Sequence, residues 1–329
     1  MTQSNEGGAP ISVSGPEPTA FHVAVVIVSY HSAEDVADCL QALGASRHDD
    51  FEVVVCENGG PAAFDSLNAL VPHRLPGGQA VRRICAERNL GYAGGVNRAM
   101  AAAPDADAWW VLNPDTCPEP EALGALVARL GRGDCDAVGG PILMATGHVQ
   151  SYGGYWQKRL ARAVSLGYGA PQSAEVDGSR IEQRQNYLNG ACMLVGPAFQ
   201  AAAGPMREDY FLYCEEVEWC LRAMKAGMRL GFAGDAVVLH KQGTSTGAHA
   251  DLRTRSRLSV YLNERNRVLL SRDCFPQLLP LAVLTVLATS IIRFGKRRAW
   301  RQLGYAVQGW WAGVTNRRGV PIWMQQPAD

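Results

Sequence analysis

Residues 22–30 read HVAVVIVSY and residues 51–60 read FEVVVCENGG. Each carries an unbroken apolar run, mostly β-branched. A strand with one wet face alternates apolar and polar residues, whereas a strand covered on both faces does not. These runs restrict the fold more than any other feature, because they require a sheet with packed layers on both sides. Residues 80–100, AVRRICAERNLGYAGGVNRAM, predict a third, shorter strand, a Gly-rich loop and a helix from about Gly94. Residues 108–115, AWWVLNPD, predict a fourth strand. Between the strands lie helical patterns. Val36, Cys39, Leu40 and Leu43 recur at helical spacing after Ser32, a candidate cap, and Gly44 closes that helix. Residues 118–131, PEPEALGALVARLG, predict a helix with proline and acids in its first turn. Strand alternating with helix four times predicts a right-handed, doubly wound α/β sheet.

The chain has 329 residues, room for one large domain or two ordinary ones. Formal net charge is zero, so charge alone names no partner and no nucleic acid is expected. Its distribution is uneven: residues 252–318 hold thirteen Arg or Lys against two acids, Glu264 and Asp273. The nine cysteines show no C-x-x-C pair and no zinc spacing, which fits reduced thiols in the cytoplasm. Residues 1–20, rich in Gly, Pro, Ser and Glu, are expected to form a structureless leader and not a signal peptide. Residues 278–292, LLPLAVLTVLATSII, contain Pro280 and fall short of the ~18 apolar residues of a spanning helix. With the basic RFGKRRAWRQ and the GWWAG that follow, they predict a segment lying on an anionic membrane. A core helix of a C-terminal bundle is the competing reading.

In doubly wound sheets, ligands sit beyond the carboxyl ends of the strands. The polar residues at those ends are Ser29, Tyr30, Glu57, Asn58, Arg88, Asn89, Asn113 and Asp115. Asn113-Pro114-Asp115 is ordinary turn chemistry. It also brings one carboxylate to the mouth of a buried strand, enough for a hard cation that takes its other ligands from a diphosphate. Gly91, Gly94 and Gly95 predict a close backbone approach to ligand, and the helix after them offers its N-terminus to anionic oxygen. In residues 211–227, FLYCEEVEWCLRAMKAG, Val217, Cys220, Leu221 and Met224 form one helix face. Glu215 and Glu216 suit the helix start, and Glu218 can pair with Arg222. Three acids in four residues exceed what a cap requires, so Glu216 is also a candidate general base. His240 ends the apolar AVVLH and is either a polar terminus or a partner of Asp115.

Taken in order, VSYHSAEDVADCL, VVVCENGG, ERNLGYAGGVNRAM, WWVLNPDTCPEPEAL, NGACMLV, YFLYCEEVEWCLRAMKAG and VVLHKQGTST resemble the motifs of the family 2 glycosyltransferases, closest to their rhamnosyltransferase-like branch. The resemblance spans residues 22–246. It implies a GT-A fold over residues 21–250, a doubly wound mixed sheet, with a helical, basic and apolar C-terminal extension over 251–329. It implies inverting transfer of a sugar from a nucleotide diphosphate to a saccharide or lipid-linked acceptor in cell-surface polysaccharide synthesis, with Mg2+ or Mn2+. On this resemblance Ser29 and Tyr30 line the base pocket, Glu57 contacts the base, and Asn89, Gly91 and Asn97 form the loop against ribose and phosphate. Asn58 and Asn113 also meet the donor, and Asn113-Pro114-Asp115 stands where many members have Asp-x-Asp. Asp115 and His240 hold the metal, and Glu216 is the base. Asn189, Gly190 and Trp219 are expected on the acceptor side. Glu57, Glu216 and Glu218 each stand where the family usually has aspartate. A cytoplasmic location, peripheral on the inner face of the membrane, follows from the same resemblance.

Other classes stay in view. A nucleotidyltransferase would carry a Gly-rich, basic signature after the first strand, where this chain has VSYHSAED. A Rossmann dehydrogenase would carry dinucleotide glycines there. A non-catalytic sugar-nucleotide or polysaccharide-binding subunit would bind donor without transferring it.

Overall fold

The first strand, β1 (Val23–Ser29), is buried along its whole length, and its side chains alternate between two cores. Val23, Val25 and Ile27 face a layer formed by α1 (Ala33–Leu43), α2 (Pro61–Leu70) and α4 (Ala122–Leu130). Ala24, Val26 and Val28 face the opposite layer, which includes α3 (Gly91–Ala101) and α7 (Glu215–Lys225). Each fully buried Val or Ile stabilises the sheet by about 1.5–3 kcal/mol. This computed structural model describes residues 21–241 and 251–325. The expected leader, residues 1–20, lies outside the described residues, as does most of the KQGTST motif.

The central sheet has seven strands, running from Leu230–Phe232 at one edge through Ala137–Gly139, Cys192–Val195, Ala108–Leu112, Val23–Ser29 and Phe51–Glu57 to Val81–Cys85 at the other. Its parallel half consists of β1, β2 (Phe51–Glu57), β3 (Val81–Cys85) and β4 (Ala108–Leu112). A second sheet, in the order β5-β13-β7-β8, is built from three-residue strands: β5 (Thr116–Pro118), β7 (Ile142–Met144), β8 (Val149–Ser151) and β13 (Val238–His240). The main sheet continues through β6 (Ala137–Gly139), β11 (Cys192–Val195) and β12 (Leu230–Phe232), with β11 antiparallel to both β4 and β6. The expected hairpin is present as β9 (Gly154–Gln157) and β10 (Arg162–Ser165). Two short helices, α5 (Gly178–Arg184) and α6 (Pro197–Ala203), complete this part.

Three long helices follow: α8 (Arg257–Cys274), α9 (Leu279–Lys296) and α10 (Trp300–Val314). Val268, Leu269 and Leu270 of α8, with Ala282 and Val286 of α9, belong to the same buried cluster as Val26 and Val28. The tail is thus built into the core of the sheet domain. Pro280 lies in the first turn of α9, where its missing N–H is harmless, so the helix runs on to Lys296. The segment from Pro276 to Lys296, 21 residues of mean hydropathy 1.9, is long and apolar enough to cross a membrane, contrary to the expectation that it falls short.

Three local expectations need correction. Ser32 precedes α1, but its hydroxyl meets Ser29 and the Tyr30 amide and makes no capping bond. The helix after Asp115 begins at Ala122, because Pro118 is taken up by β5, so its first turn holds no acid. Helix α3 begins at Gly91, not at Gly94. There Gly94 and Gly95 serve packing and not ligand approach: a Cβ on Gly95 would stand 2.6 Å from Val28 Cγ1.

Candidate active site

The carboxyl ends of β1, β2 and β4 open on a cavity of about 450 Å³, within the range of small-molecule sites. Ten expected residues line it: Tyr30, Asn58, Asn89, Gly91, Asn113, Asp115, Asn189, Gly190, Glu216 and His240. Asn58 and Asn89 act through Gly91. The Asn58 amide donates to the Gly91 carbonyl (2.8 Å), and the Gly91 N–H donates to Asn89 Oδ1 (2.9 Å). Gly91 has φ +74°, and a Cβ there would collide with the Phe211 carbonyl oxygen. Only glycine lets α3 start this close to the loop that leads into α7.

Four expected residues are not in the cavity wall. Ser29 and Glu57 are fully buried behind it. The Ser29 hydroxyl donates to Glu57, which also accepts from the Gly59 N–H (2.7 Å) and the His31 N–H (3.2 Å). Glu57 therefore shapes the loop beside Tyr30 from below. Asn97 faces away from the cavity and ties α3 to the next layer, donating to the Met206 carbonyl (2.8 Å) and accepting from the Met206 N–H (2.9 Å). Trp219 is buried against Phe199, and its indole N–H donates to the Gly204 carbonyl (2.8 Å). Arg88 likewise does not line the cavity.

The three acids of α7 divide. Glu218 is buried and accepts twice from Arg222, at 2.9 and 3.0 Å, so it is a structural ion pair rather than a surface one. Glu215 and Glu216 both line the cavity. Glu216 is half-buried, whereas Glu215 is almost fully buried, its Oε2 lacking a hydrogen-bond partner among the described residues. Burial, then the neighbouring Glu216, pushes the Glu215 carboxyl from 4.5 up to about 8, and burial raises Glu216 as well. The helix N-terminus favours carboxylates, but desolvation outweighs it here. Glu215 therefore keeps its proton at neutral pH. The Tyr92 hydroxyl, also in the wall, reaches Asn113 Oδ1 (3.1 Å) and the Gly190 carbonyl (2.7 Å), joining the strand mouth to the acidic end.

Asp115 and His240 meet. They sit where β5 and β13 begin and end their pairing, and Asp115 Oδ1 stands 3.1 Å from His240 Nε2. The other ring nitrogen, Nδ1, stands 2.9 Å from Gln150 Oε1, an amide oxygen that can only accept. That contact puts the ring proton on Nδ1 and turns the Nε2 lone pair toward the carboxylate. Two acceptors so close require a shared positive centre, a proton or a metal cation. A carboxylate and an imidazole with a hydrogen-bonded outer nitrogen form a familiar half-site for a divalent ion. Among the described residues no third His, Cys, Asp or Glu joins them. Phosphate-bound cations usually take most of their other ligands from phosphate oxygens and water.

Sequence reasoning missed Gln150, Tyr92, Leu258 and Met324 as wall residues. Leu258 and Met324 come from the C-terminal region, so the tail closes part of the cleft.

A mixed sheet packed by helices on both faces, with a C-terminal helical region, is the GT-A glycosyltransferase architecture. A profile described as "Glycosyltransferase like family 2" matches residues 18–267, and the chain belongs to that family. It is 24% identical over 307 residues to the low-salt glycan biosynthesis hexosyltransferase Agl10 of Haloferax volcanii, covering 91% of this chain and 93% of that one. It is 26% identical over 242 residues to the N-acetylglucosaminyl-diphospho-decaprenol L-rhamnosyltransferase of Mycobacterium tuberculosis, covering 68% and 77%. Among solved structures, the mannosyltransferase PcManGT from Pyrobaculum calidifontis, in complex with GDP-Man and Mn2+, shares the fold. The TM-score is 0.52 at 15% identity, with 94% and 91% of the two chains covered.

Proposed function

We propose that this chain is an inverting, metal-dependent glycosyltransferase that moves a sugar, rhamnose in the nearest reading, from a nucleotide diphosphate to a lipid-linked saccharide. The observation that carries the reading is that Asp115, His240 and Glu216 open on one cavity. Tyr30, Asn58, Asn89, Gly91 and Asn113 serve the nucleotide side; Asn189 and Gly190 serve the acceptor side. An acceptor hydroxyl attacks C1, the bond from C1 to the phosphate oxygen breaks, and the hydroxyl proton goes to Glu216. A cation held by Asp115 and His240 would neutralise the diphosphate leaving group. Imidazole suits transition-metal ions better than Mg2+, which favours Mn2+.

The relatives' names support a lipid-linked acceptor: the M. tuberculosis protein is a rhamnosyltransferase of a diphospho-decaprenol. The surface of this chain supports the same. Helix α9 packs Ala282, Val286, Ser290 and Phe294 inward, at four-residue spacing, and leaves Leu281, Leu284, Ile291 and Ile292 exposed. Trp300 and Trp311 are exposed nearby, and Arg293, Lys296, Arg297, Arg298 and Arg301 supply cationic charge. A helix with one face committed to protein and the other apolar and flanked by bases suits lying on an anionic leaflet. On this reading the protein is cytoplasmic and peripheral on the inner face of the membrane.

The deciding experiment is single-turnover transfer by Glu216→Gln with bound donor. Loss of a general base costs ~10²–10⁴ in rate, with donor affinity by calorimetry near wild type. Glu218→Gln is the control: it should transfer at the wild-type rate per folded molecule while losing stability. Near-normal transfer by Glu216→Gln would move the base elsewhere.

A further inference from the structure

The backbone entering α7 is strained. Phe211, Tyr213 and Cys214 have φ of 66°, 73° and 70°, three non-glycine residues in the left-handed region within four positions. Each such residue costs on the order of 1–3 kcal/mol and persists only where the surroundings over-determine it. Glu215 and Glu216 follow at once, so this bend sets where both carboxyls stand.

Its restraints come from α8. The Asn266 amide, fully buried, reaches the carbonyls of Tyr210 (3.0 Å), Leu212 (2.8 Å) and Tyr213 (2.8 Å). Buried Arg265 donates to the Tyr210 carbonyl (2.7 Å), to the Gly319 carbonyl (2.6 Å) and to Asn266 Oδ1 (2.9 Å). The last of these bonds fixes the orientation of the Asn266 amide. Below them, Asp273 accepts from the Tyr210 hydroxyl (2.7 Å), from Arg207 (2.9 Å) and from Arg318 (2.7 Å). Among the left-handed residues, Tyr213 has its carbonyl held from α8, while the Phe211 carbonyl accepts from the Tyr92 N–H of α3 (2.8 Å). Helix α8 thus holds the bend from one side through Tyr210, Leu212 and Tyr213.

We infer that Asn266 and Arg265 are positioning residues for sugar transfer, holding the bend that aims Glu215 and Glu216 into the cleft. The inference rests on the glycosyltransferase reading for its kinetic part alone. An asparagine at this place supplies donors to several carbonyls without carrying charge; aspartate, of the same shape, supplies none.

The test uses full-length Asn266→Ala, Asn266→Asp and the conservative Asn266→Gln, with Arg265→Lys as the variant to rely on if Asn266→Ala does not fold. Donor-side binding is followed with UDP, GDP and dTDP in Mn2+, transfer as kcat and acceptor KM, and the two carboxyls by ¹³C-glutamate NMR titration. Displacing a catalytic group by about 1 Å costs ~10²-fold, so kcat should fall by that order in Asn266→Ala and Asn266→Asp. Nucleotide affinity should stay within about twofold, because the base side is built from residues 30–113 and the cation side from Asp115, Gln150 and His240, none of which bonds to Asn266 or Arg265. Asn266→Gln should recover part of kcat, and in Asn266→Asp the glutamate titrations should move from their wild-type positions. A kcat near wild type in a folded variant overturns the inference, as does an equal loss of nucleotide affinity. If the wild type transfers no sugar from any donor, the functional reading fails instead. Unmoved carboxyl titrations in Asn266→Asp would then overturn the positioning claim on their own.

Discussion

Glu215→Gln should make this protein more stable, and only above acidic pH. In the unfolded chain the Glu215 carboxyl ionises near 4.5, and in the folded chain it keeps its proton up to about pH 8. Between those values the folded state binds a proton that the unfolded state has released, so stability falls as pH rises, and the loss is complete above the folded value. An interval of about 3.5 units at 1.36 kcal/mol per unit sets a ceiling of ~5 kcal/mol. Sharing of charge with Glu216 and water entering from the cleft reduce this to roughly 2–4 kcal/mol. Glutamine reproduces the protonated acid at every pH, including its unpartnered position in the wall. Urea unfolding of both proteins at about pH 4 and pH 8.5 gives the comparison. The difference should be near zero at the lower pH and favour the variant by roughly 2–4 kcal/mol at the higher. Any constant packing effect of the substitution cancels between the two pH values. A difference that does not change with pH, or that favours wild type more as pH rises, refutes the argument that burial keeps this carboxyl neutral.

Asp115→Ala should abolish Mn2+-dependent thermal stabilisation by nucleoside diphosphates, and His240→Ala should weaken it less; unchanged stabilisation in Asp115→Ala would remove the metal assignment. Gln150→Leu should lower apparent Mn2+ affinity by ~10–100-fold, the usual effect of losing a residue that orients a ligand, and metal titration followed by calorimetry reads it. Replacing Leu284, Ile291 and Ile292 together with serine should reduce flotation with anionic liposomes while leaving the fold intact by circular dichroism. Equal flotation of variant and wild type, or none of either, would reject the membrane surface. Substitution is the right perturbation here, because ending the chain near residue 271 would remove Arg318 and Gly319, which brace α8.

The strands that build the donor side were legible because burial on both faces forces an unbroken apolar run. Such a run is visible in Val23–Ser29, Phe51–Glu57 and Ala108–Leu112 without knowing their neighbours. Helix starts were less legible, since they depend on competing local bonds: Ser32 is drawn to Ser29, and Pro118 to a strand. The small sheet was not legible at all. Three residues are too few to show a period, and the Asp115–His240 contact is made by strands 120 residues apart in the chain. His240 stood out at the end of an apolar run, but its role beside Asp115 rested on resemblance, and Gln150 had no signal. The length of the tail helix was underestimated because Pro280, counted against it, sits in the first turn, and apolar content alone does not tell which side of a helix faces protein. The i, i+4 set Ala282, Val286, Ser290 and Phe294 was present in the sequence and gave the packed side. Asn97 and Trp219 lie behind the wall because a motif fixes only order along the chain, and order alone does not distinguish a wall residue from one behind it.

The antiparallel insertion of β11 has a consequence for synthesis on the ribosome. Strand β4 pairs with β1 on one side and needs β11 on the other, and Cys192, which faces Leu112, follows it by 80 residues (192 − 112). At ~5–20 residues per second, the edge Trp109–Val111 stays open for roughly 4–16 s after it emerges. It is apolar and carries unpaired N–H and C=O groups throughout, the kind of edge that recruits strands from other chains. Nascent chains stalled between residues 112 and 195 should therefore aggregate or hold chaperone. Chains released past Val195 should not, since pairing with β11 closes the edge from within the same molecule.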